Sequence, residues 1–269
     1  MNEIMQHGIK EDSEPVPKAR QSIHKVLLEY FSKRQPGKLL DAPAGYGHLS
    51  KHLKDMGYAV VCGEIEPEIF RAGGIECVYT DLNQKIDAPD NSFDYTCCVD
   101  GLEHMTNPYR AVEEFARVLK PGGTGVFSVP NYSNIEKRLK YFLRGYLTKP
   151  KTLDDYTRAG SNLFNFHNSP LTITILNLMF EINGLRVEAI LRDKKKTKQY
   201  AFLPFVALLK IGAFLSSRRS QEKHCYEHTL KNEVIPGGNT LIFITKKDSG
   251  FANRSWPISD QVRIKGKKP

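Results

Sequence analysis

The residues of this chain best suited to chemistry are carboxylates and a histidine placed where short apolar runs end, beside a glycine-rich turn. In Leu39-Leu40-Asp41-Ala42-Pro43-Ala44-Gly45-Tyr46-Gly47-His48-Leu49-Ser50 an acid closes the apolar run and two glycines precede a helix-forming stretch. Glycines in such a turn let backbone amides approach a ligand closely. A dinucleotide-binding loop would carry a third glycine where this chain has Ser50, and a carboxylate beside a pyrophosphate is repulsive. An amine- or sulfonium-bearing ligand suits that carboxylate. Glu64 ends a second apolar run, Asp81 follows a third, and Asp100, Glu103 and His104 follow a fourth. Imidazole titrates nearest to physiological pH, so His104 suits a general base for a hydroxyl acceptor. Bland alternatives stand beside each role. Asp41 could cap its own loop, Asp81 could be an exposed strand-end acid, and the Glu103-His104 pair could only hydrogen-bond its loop. His48 reads as a packing or helix-start residue.

The elements that must hold these residues follow from the hydrophobic pattern. Ile23, Val26, Leu27, Tyr30 and Phe31 have the three-four spacing of an amphipathic helix over Ser22 to Phe31. Strands are expected at Lys38 to Ala42, Tyr58 to Cys62, Glu76 to Tyr79, Phe93 to Val99, Thr124 to Val129, Leu185 to Leu191 and Thr240 to Thr245. Between them lie a helix from Gly45 to Met56, a short helical piece around Pro67 to Arg71, and a helix capped by Asn107 with Pro108 at its first position. Pro121-Gly122-Gly123 turns the chain into the fifth strand, and Ser169-Pro170 starts a helix running to Asn183-Gly184. Strands alternating with helices imply an α/β fold with a mainly parallel sheet, because parallel neighbours need crossovers.

From Leu39 to Asn131 the chain resembles the class I S-adenosylmethionine-dependent methyltransferases. The family places an acid ahead of Gly-x-Gly-x-Gly; here Asp41 is followed by Pro43, Gly45 and Gly47, so proline replaces the first glycine. Glu64, 23 positions after Asp41, Thr80-Asp81-Leu82, Phe93-Asp94, Leu102-Glu103-His104 and Arg117-Val118-Leu119-Lys120-Pro121-Gly122-Gly123 follow in the family's order. The resemblance implies S-adenosylmethionine as cofactor, with Glu64 on the ribose hydroxyls and Asp81 on the adenine amino group. It adds Asp41, Ala42, Pro43, Gly45, Gly47, Ile65, Leu82 and Asp100 as cofactor-binding positions. It also implies a Rossmann-like, doubly wound, mostly parallel seven-stranded sheet with helices on both faces and an inserted lid after the fifth strand. The spacing Asp100, Glu103, His104 is similar to a divalent-metal triplet of quinone-pathway O-methyltransferases, but three residues in one short segment are a weak signal, and no metal is expected.

The acceptor implied by this branch is a small-molecule, glycan or lipid-linked group methylated on oxygen, with His104 as the catalytic base. Two rivals are an RNA methyltransferase and a non-catalytic binding module on the same fold. Against the first, base-amino methyltransferases carry an Asn/Asp-Pro-Pro-aromatic tetrad where this chain reads Asp100-Gly101-Leu102-Glu103.

The 269 residues carry a formal net charge of +9, and that sum hides a split. Residues 1–119 hold 13 Lys/Arg against 19 Asp/Glu, net −6, whereas 120–269 hold 26 against 11, net +15. Such a basic half suits an anionic partner, which could be a phosphate-bearing substrate, a membrane surface or, less favoured here, a nucleic acid; the bland alternative is a solvated basic surface with a disordered tail. Residues 193–223 form a basic-apolar-basic segment that suits a bilayer interface; the alternative is a core helix pair covering the sheet. Its apolar part, Ala201 to Leu215, falls short of the roughly 20 residues of a membrane span.

The basic, aromatic segment 131–168, with Tyr and Phe among its cations, is the expected substrate-recognition insertion, and His167 at its end could cross the mouth of the site. Residues 1–19 are expected as a flexible leader, 20–247 as the domain and 248–269 as a basic tail. The beginning lacks the apolar core of a signal peptide, and Cys62, Cys77, Cys97, Cys98 and Cys225 form no C-x-x-C pair. A cytoplasmic enzyme, peripheral at most to the inner face of the membrane, is expected.

Overall fold

Seven apolar runs become seven strands: β1 (Lys38–Asp41), β2 (Ala59–Glu64), β3 (Cys77–Tyr79), β4 (Phe93–Val99), β5 (Leu119–Pro130), β6 (Leu185–Arg192) and β7 (Thr240–Lys247). The structure is a computed structural model that describes residues 15–148, 152–160 and 162–250. Most of the expected leader and tail, 1–14 and 251–269, lies outside the described residues.

The strands join one sheet in the order β3-β2-β1-β4-β5-β7-β6. Pairings from β3 through β5 are parallel, so β1, β2 and β4 end on one edge and bring Asp41, Glu64 and Asp100 there. The sheet is mostly parallel, as expected, and departs from a purely parallel one on the other side. There β7 runs antiparallel to both β5 and β6, and the sheet is mixed. A short apolar run has no directional mark of its own. Here β7 slides between two earlier strands and completes the sheet.

Alternation along the strands divides the core in two. Leu40, Ala42, Cys98, Phe127, Val129 and Phe243 face α3 (Pro108–Val118) and α6 (Ile173–Ile182). Their neighbours Leu39, Cys97, Val99, Val126, Ile242 and Ile244 face α1 (Gln21–Phe31) and α2 (His48–Asp55). A period of two in the strands thus gives helices on both faces. Phe115, Phe127, Phe180 and Phe243 link one side of the core, with successive ring centroids 5.6, 5.0 and 5.7 Å apart. Such aromatic contacts add to the burial that holds helix to sheet.

Local capping follows the sequence at α3, where the Asn107 side chain accepts from the Arg110 amide at 3.2 Å. It departs at α6, which starts after Thr172 instead of at Ser169-Pro170. The Ser169 amide donates to the Glu103 carbonyl and its hydroxyl to the Met105 carbonyl, which ties this stretch to the loop after β4. At Pro121-Gly122-Gly123 the fifth strand begins earlier than expected. Leu119 already pairs with Phe93, and the turn is absorbed as a break in register before Thr124 pairs with Tyr95.

After β5 come α4 (Ile135–Arg144) and α5 (Leu153–Arg158), which belong to the expected insertion. After β6 come α7 (Leu203–Phe214), α8 (Arg218–Lys223) and α9 (Tyr226–Thr229). The apolar run 201–215 does not cover the sheet as a core helix would. Only Val206 and Ala213 of α7 are buried.

Candidate active site

A cavity of about 850 Å³ opens at the edge where β1, β2 and β4 end. Its volume suits a nucleoside-sized ligand together with a small second molecule. Asp41, Pro43, Gly45, Glu64, Ile65, Asp81, Leu82, Asp100 and His104 all line it. Ala42 and Gly47, two other positions singled out in the sequence, support the wall from behind. Ala42 is buried in the core with its amide on the Cys97 carbonyl, and Gly47 ties the turn by donating to the Ala44 carbonyl.

The glycine loop is held by the second strand. Glu64 is buried and accepts the Gly45 amide at 2.7 Å on one carboxylate oxygen and the Ile65 amide at 3.0 Å on the other. Asp41 is also buried and accepts the Ser50 hydroxyl at 2.5 Å; Ser50 in turn receives the Cys62 thiol at 3.0 Å. Among the described residues neither carboxylate has a Lys or Arg within ion-pair distance. Burial pushes the Asp41 carboxyl up to about 7, against the Ser50 hydrogen bond and with the help of nearby Glu64. Two buried acids without a cation make a place that a ligand cation would stabilise.

Gly47 ends the loop in the left-handed region at φ 87°, and a Cβ there would lie 2.6 Å from the Phe70 ring and 2.7 Å from Ala72. Gly47→Ala adds backbone strain to that overlap. It is expected to cost about 2 kcal/mol, read as a lowered urea midpoint.

Asp81 faces the cavity while its carboxylate closes its own turn, accepting from the Asn83 amide and side chain and from Gln84. Leu82 beside it is buried. Asp100 sits at φ 47°, uncommon for a residue other than glycine, and exchanges hydrogen bonds with Ser128 through its amide and carboxylate. Positive φ at a strand tip aims a side chain that an extended residue would point elsewhere.

The other half of the cavity is made by Glu103, His104, Met105, Tyr132, Phe164, Phe166 and His167. Burial, and Asp100 nearby, push the Glu103 carboxyl well above its usual range, and Glu103 Oε2 has no hydrogen-bond partner. His104 Nδ1 is likewise buried without one, and burial lowers its basicity, so a neutral imidazole lines the cavity. The His104 and His167 rings meet edge to face with centroids 4.8 Å apart, and His167 Nδ1 lies 3.1 Å from the Tyr132 hydroxyl. Hence His167 reaches the site, as its place in the sequence allowed.

One ligand atom each from Glu103, His104 and His167 fall within 4.8 Å of one another. One carboxylate and two imidazoles are a donor set that a divalent ion accepts. The triplet weighed in the sequence is therefore regrouped, because Asp100 turns to Ser128 and His167 joins Glu103 and His104.

Several lining residues had no motif to reveal them. Lys18, Arg20 and His24 come from the chain just before and within α1, Lys137 from α4, and Asn239 and Thr240 from the start of β7. Among these, only the cationic character of the insertion was visible in advance. His24 is half of a pair with His48, Nδ1 to Nδ1 at 3.1 Å, and burial beside that ring lowers its pKa to about 4.

Comparison with known proteins identifies what the first half of this chain is similar to. Residues 40–127 match the family model of a methyltransferase domain. The chain is 33% identical over 117 residues to a ubiquinone biosynthesis O-methyltransferase of Xylella fastidiosa, covering 38% of this chain and 46% of that protein. It is 32% identical over 132 residues to one of Hahella chejuensis, covering 45% and 56%. The chain thus spans about half the length of the curated relatives it matches. In fold it is similar to a SAM-dependent methyltransferase from Archaeoglobus fulgidus, with a TM-score of 0.52 at 14% identity over 83% of this chain and 94% of that one. The acid-and-glycine loop at the end of β1 and the second acid at the end of β2 both lie within the stretch that matches a methyltransferase domain.

Proposed function

We propose that this chain binds S-adenosylmethionine in the acidic half of the cavity and methylates a hydroxyl oxygen of a small-molecule, glycan or lipid-linked acceptor held in the other half. The observation that carries this reading is the pair of buried carboxylates, Asp41 and Glu64, at adjacent strand tips with no cation of the described chain beside them. When bound, the cofactor would supply an electrophilic methyl carbon on a sulfonium sulfur, open to in-line attack by a hydroxyl oxygen with the neutral thioether as leaving group.

Asp41 offers negative charge to the aminoacyl ammonium. Glu64 has a lone pair left on each oxygen after accepting its two amides, enough for two ribose hydroxyls. Asp81 and Leu82 would meet the adenine. Orientation is the main demand on the protein, since holding two reactants in line removes most of the entropic barrier. His104 takes the acceptor's proton, a role that its unpartnered Nδ1 supports. The O-methyltransferase activity of the relatives supports a hydroxyl acceptor.

Calorimetric titration with S-adenosylmethionine tests the reading. Wild type is expected to bind, and Glu64→Ala to bind at least tenfold more weakly, because it loses both the ribose acceptor and the anchor of the Gly45 amide. Absence of heat with the wild type would end the proposal.

A further inference from the structure

The apolar side chains left most exposed include those of α7 and α4; Leu153 on α5 and a half-covered stripe on α6, Ile175, Leu178 and Ile182, are exposed as well. On α7 and its capping residue, Leu208, Ile211 and Leu215 follow one another at helical spacing on the outward side, with Phe214 beside them, 83% exposed. On α4, Ile135 and Leu139 point inward, yet Phe142, one turn further along the same stripe, is 84% exposed; Leu143 next to it is 76% exposed. The two helices form one body. Ile135, Val206 and Ile235 pack together, and Lys196 binds Glu136 at 2.7 Å.

Cations surround this face, and its acids are already engaged. Residues 193–223 contain eight Lys/Arg and two acids. Of the acids, Asp193 is buried and accepts the Thr240 amide, and Glu222 pairs with Arg218. Glu136 on α4 is held by both Lys140 and Lys196. What remains at the surface is positive charge around exposed aromatic and aliphatic side chains.

We propose that α4 and α7 together dock the protein on an anionic bilayer surface, with α7 lying in the interface. At 12 residues α7 is about 18 Å long, too short to cross the roughly 30 Å hydrocarbon layer. Among the described residues no helix is long and apolar enough to cross a membrane. One flank of α7 is set on the protein through Val206 and Ala213, and its outward apolar side chains would meet the acyl boundary while the surrounding cations meet anionic headgroups. The same α4 carries Lys137 into the cavity wall, and Thr148 lines the cavity just beyond its end. Docking through α4 therefore brings the acceptor half of the cavity to the lipid surface, so the acceptor is lipid-linked. Docking stands without the methyl-transfer reading; the lipid-linked acceptor rests on it.

Sedimentation of the full chain with vesicles tests this, using pure phosphatidylcholine against phosphatidylcholine with about 30% phosphatidylglycerol. Wild type is expected to partition at least about tenfold more strongly to the anionic vesicles, and to lose that preference in high salt. Paired Phe214→Asp and Leu215→Asp should cut partition about tenfold with S-adenosylmethionine affinity and circular dichroism unchanged. Paired Lys194→Glu and Lys195→Glu should remove the preference for anionic lipid. Should the α7 variant fail to fold, Phe142→Asp with Leu143→Asp on α4 answers the same question.

Equal or absent pelleting of the wild type on both vesicles, or pelleting of the folded apolar variants at the wild-type level, would overturn the docking. So would a dimer of the free protein, seen by sedimentation velocity, that these variants convert to monomer. Vesicle binding without cofactor binding would end the methyl-transfer reading and leave the docking intact.

Discussion

Asp41→Asn is expected to weaken S-adenosylmethionine binding about a hundredfold and to flatten its dependence on pH, measured by calorimetry from pH 5 to pH 8. The substitution keeps the shape and an acceptor for Ser50, and removes only the charge that would face the ligand ammonium. Removing one partner of a buried charge pair costs about 3 kcal/mol, because the remaining charge is left in a desolvated site. The pH effect follows from burial, which lifts the Asp41 carboxyl to about 7. Below that value the free wild-type protein carries a proton that must leave before an ammonium can pair with the carboxylate. Affinity should therefore rise about tenfold per pH unit on the approach to 7, and level off above it.

Stability of the free protein has the opposite trend. A carboxyl whose folded pKa is raised contributes stability fully below its unfolded value of 3.8, and that contribution is lost as pH rises through about 7. The asparagine variant, which never ionises, should consequently melt higher than wild type at pH 8 and alike at acid pH. A wild-type affinity that stays constant from pH 5 to pH 8 would show that Asp41 does not face the ligand cation.

His104→Gln is expected to lower turnover by about 100- to 10,000-fold with any hydroxyl acceptor that the wild type methylates, while S-adenosylmethionine affinity stays at the wild-type level. Glutamine fills the same volume but cannot take a proton. Burial outweighs the carbonyls of Phe164 and Phe166 and the charge of Asp100, and lowers the His104 pKa below the usual 6.5. Because a base works in its deprotonated form, the acid limb of the rate profile should lie below pH 6.5, with full activity at neutrality. Unchanged turnover in the variant would end the general-base role. Loss of wild-type activity on chelation, restored by zinc, would instead assign His104 to the Glu103 and His167 cluster as a ligand.

How much of this site could be read in advance depended on the range of the interactions that make it. The acids at the tips of β1 and β2, the turn between β1 and α2, and the cap of α3 depend on neighbours a few residues away, and alternation and capping chemistry mark them directly. Partnerships between distant positions left no such mark. His167 reaches His104 across 63 positions, Ser169 is tied to Glu103, and Lys18 and Arg20 fold back over the cofactor half. The direction of β7 belongs to the same class, since either orientation of Thr240 to Lys247 presents the same alternating side chains.

By itself, then, the sequence determined the strand-loop-helix units, the acids that close them and the excess of cations in the second half, because backbone periodicity and side-chain charge are local properties. Tertiary structure alone decided that Asp41 and Glu64 are buried with no Lys or Arg of the described residues in ion-pair reach, that His167 rather than Asp100 joins Glu103 and His104, and that the described residues leave α7 largely uncovered. Desolvation and through-space contact depend on what the rest of the chain places around a residue, and no local pattern records that.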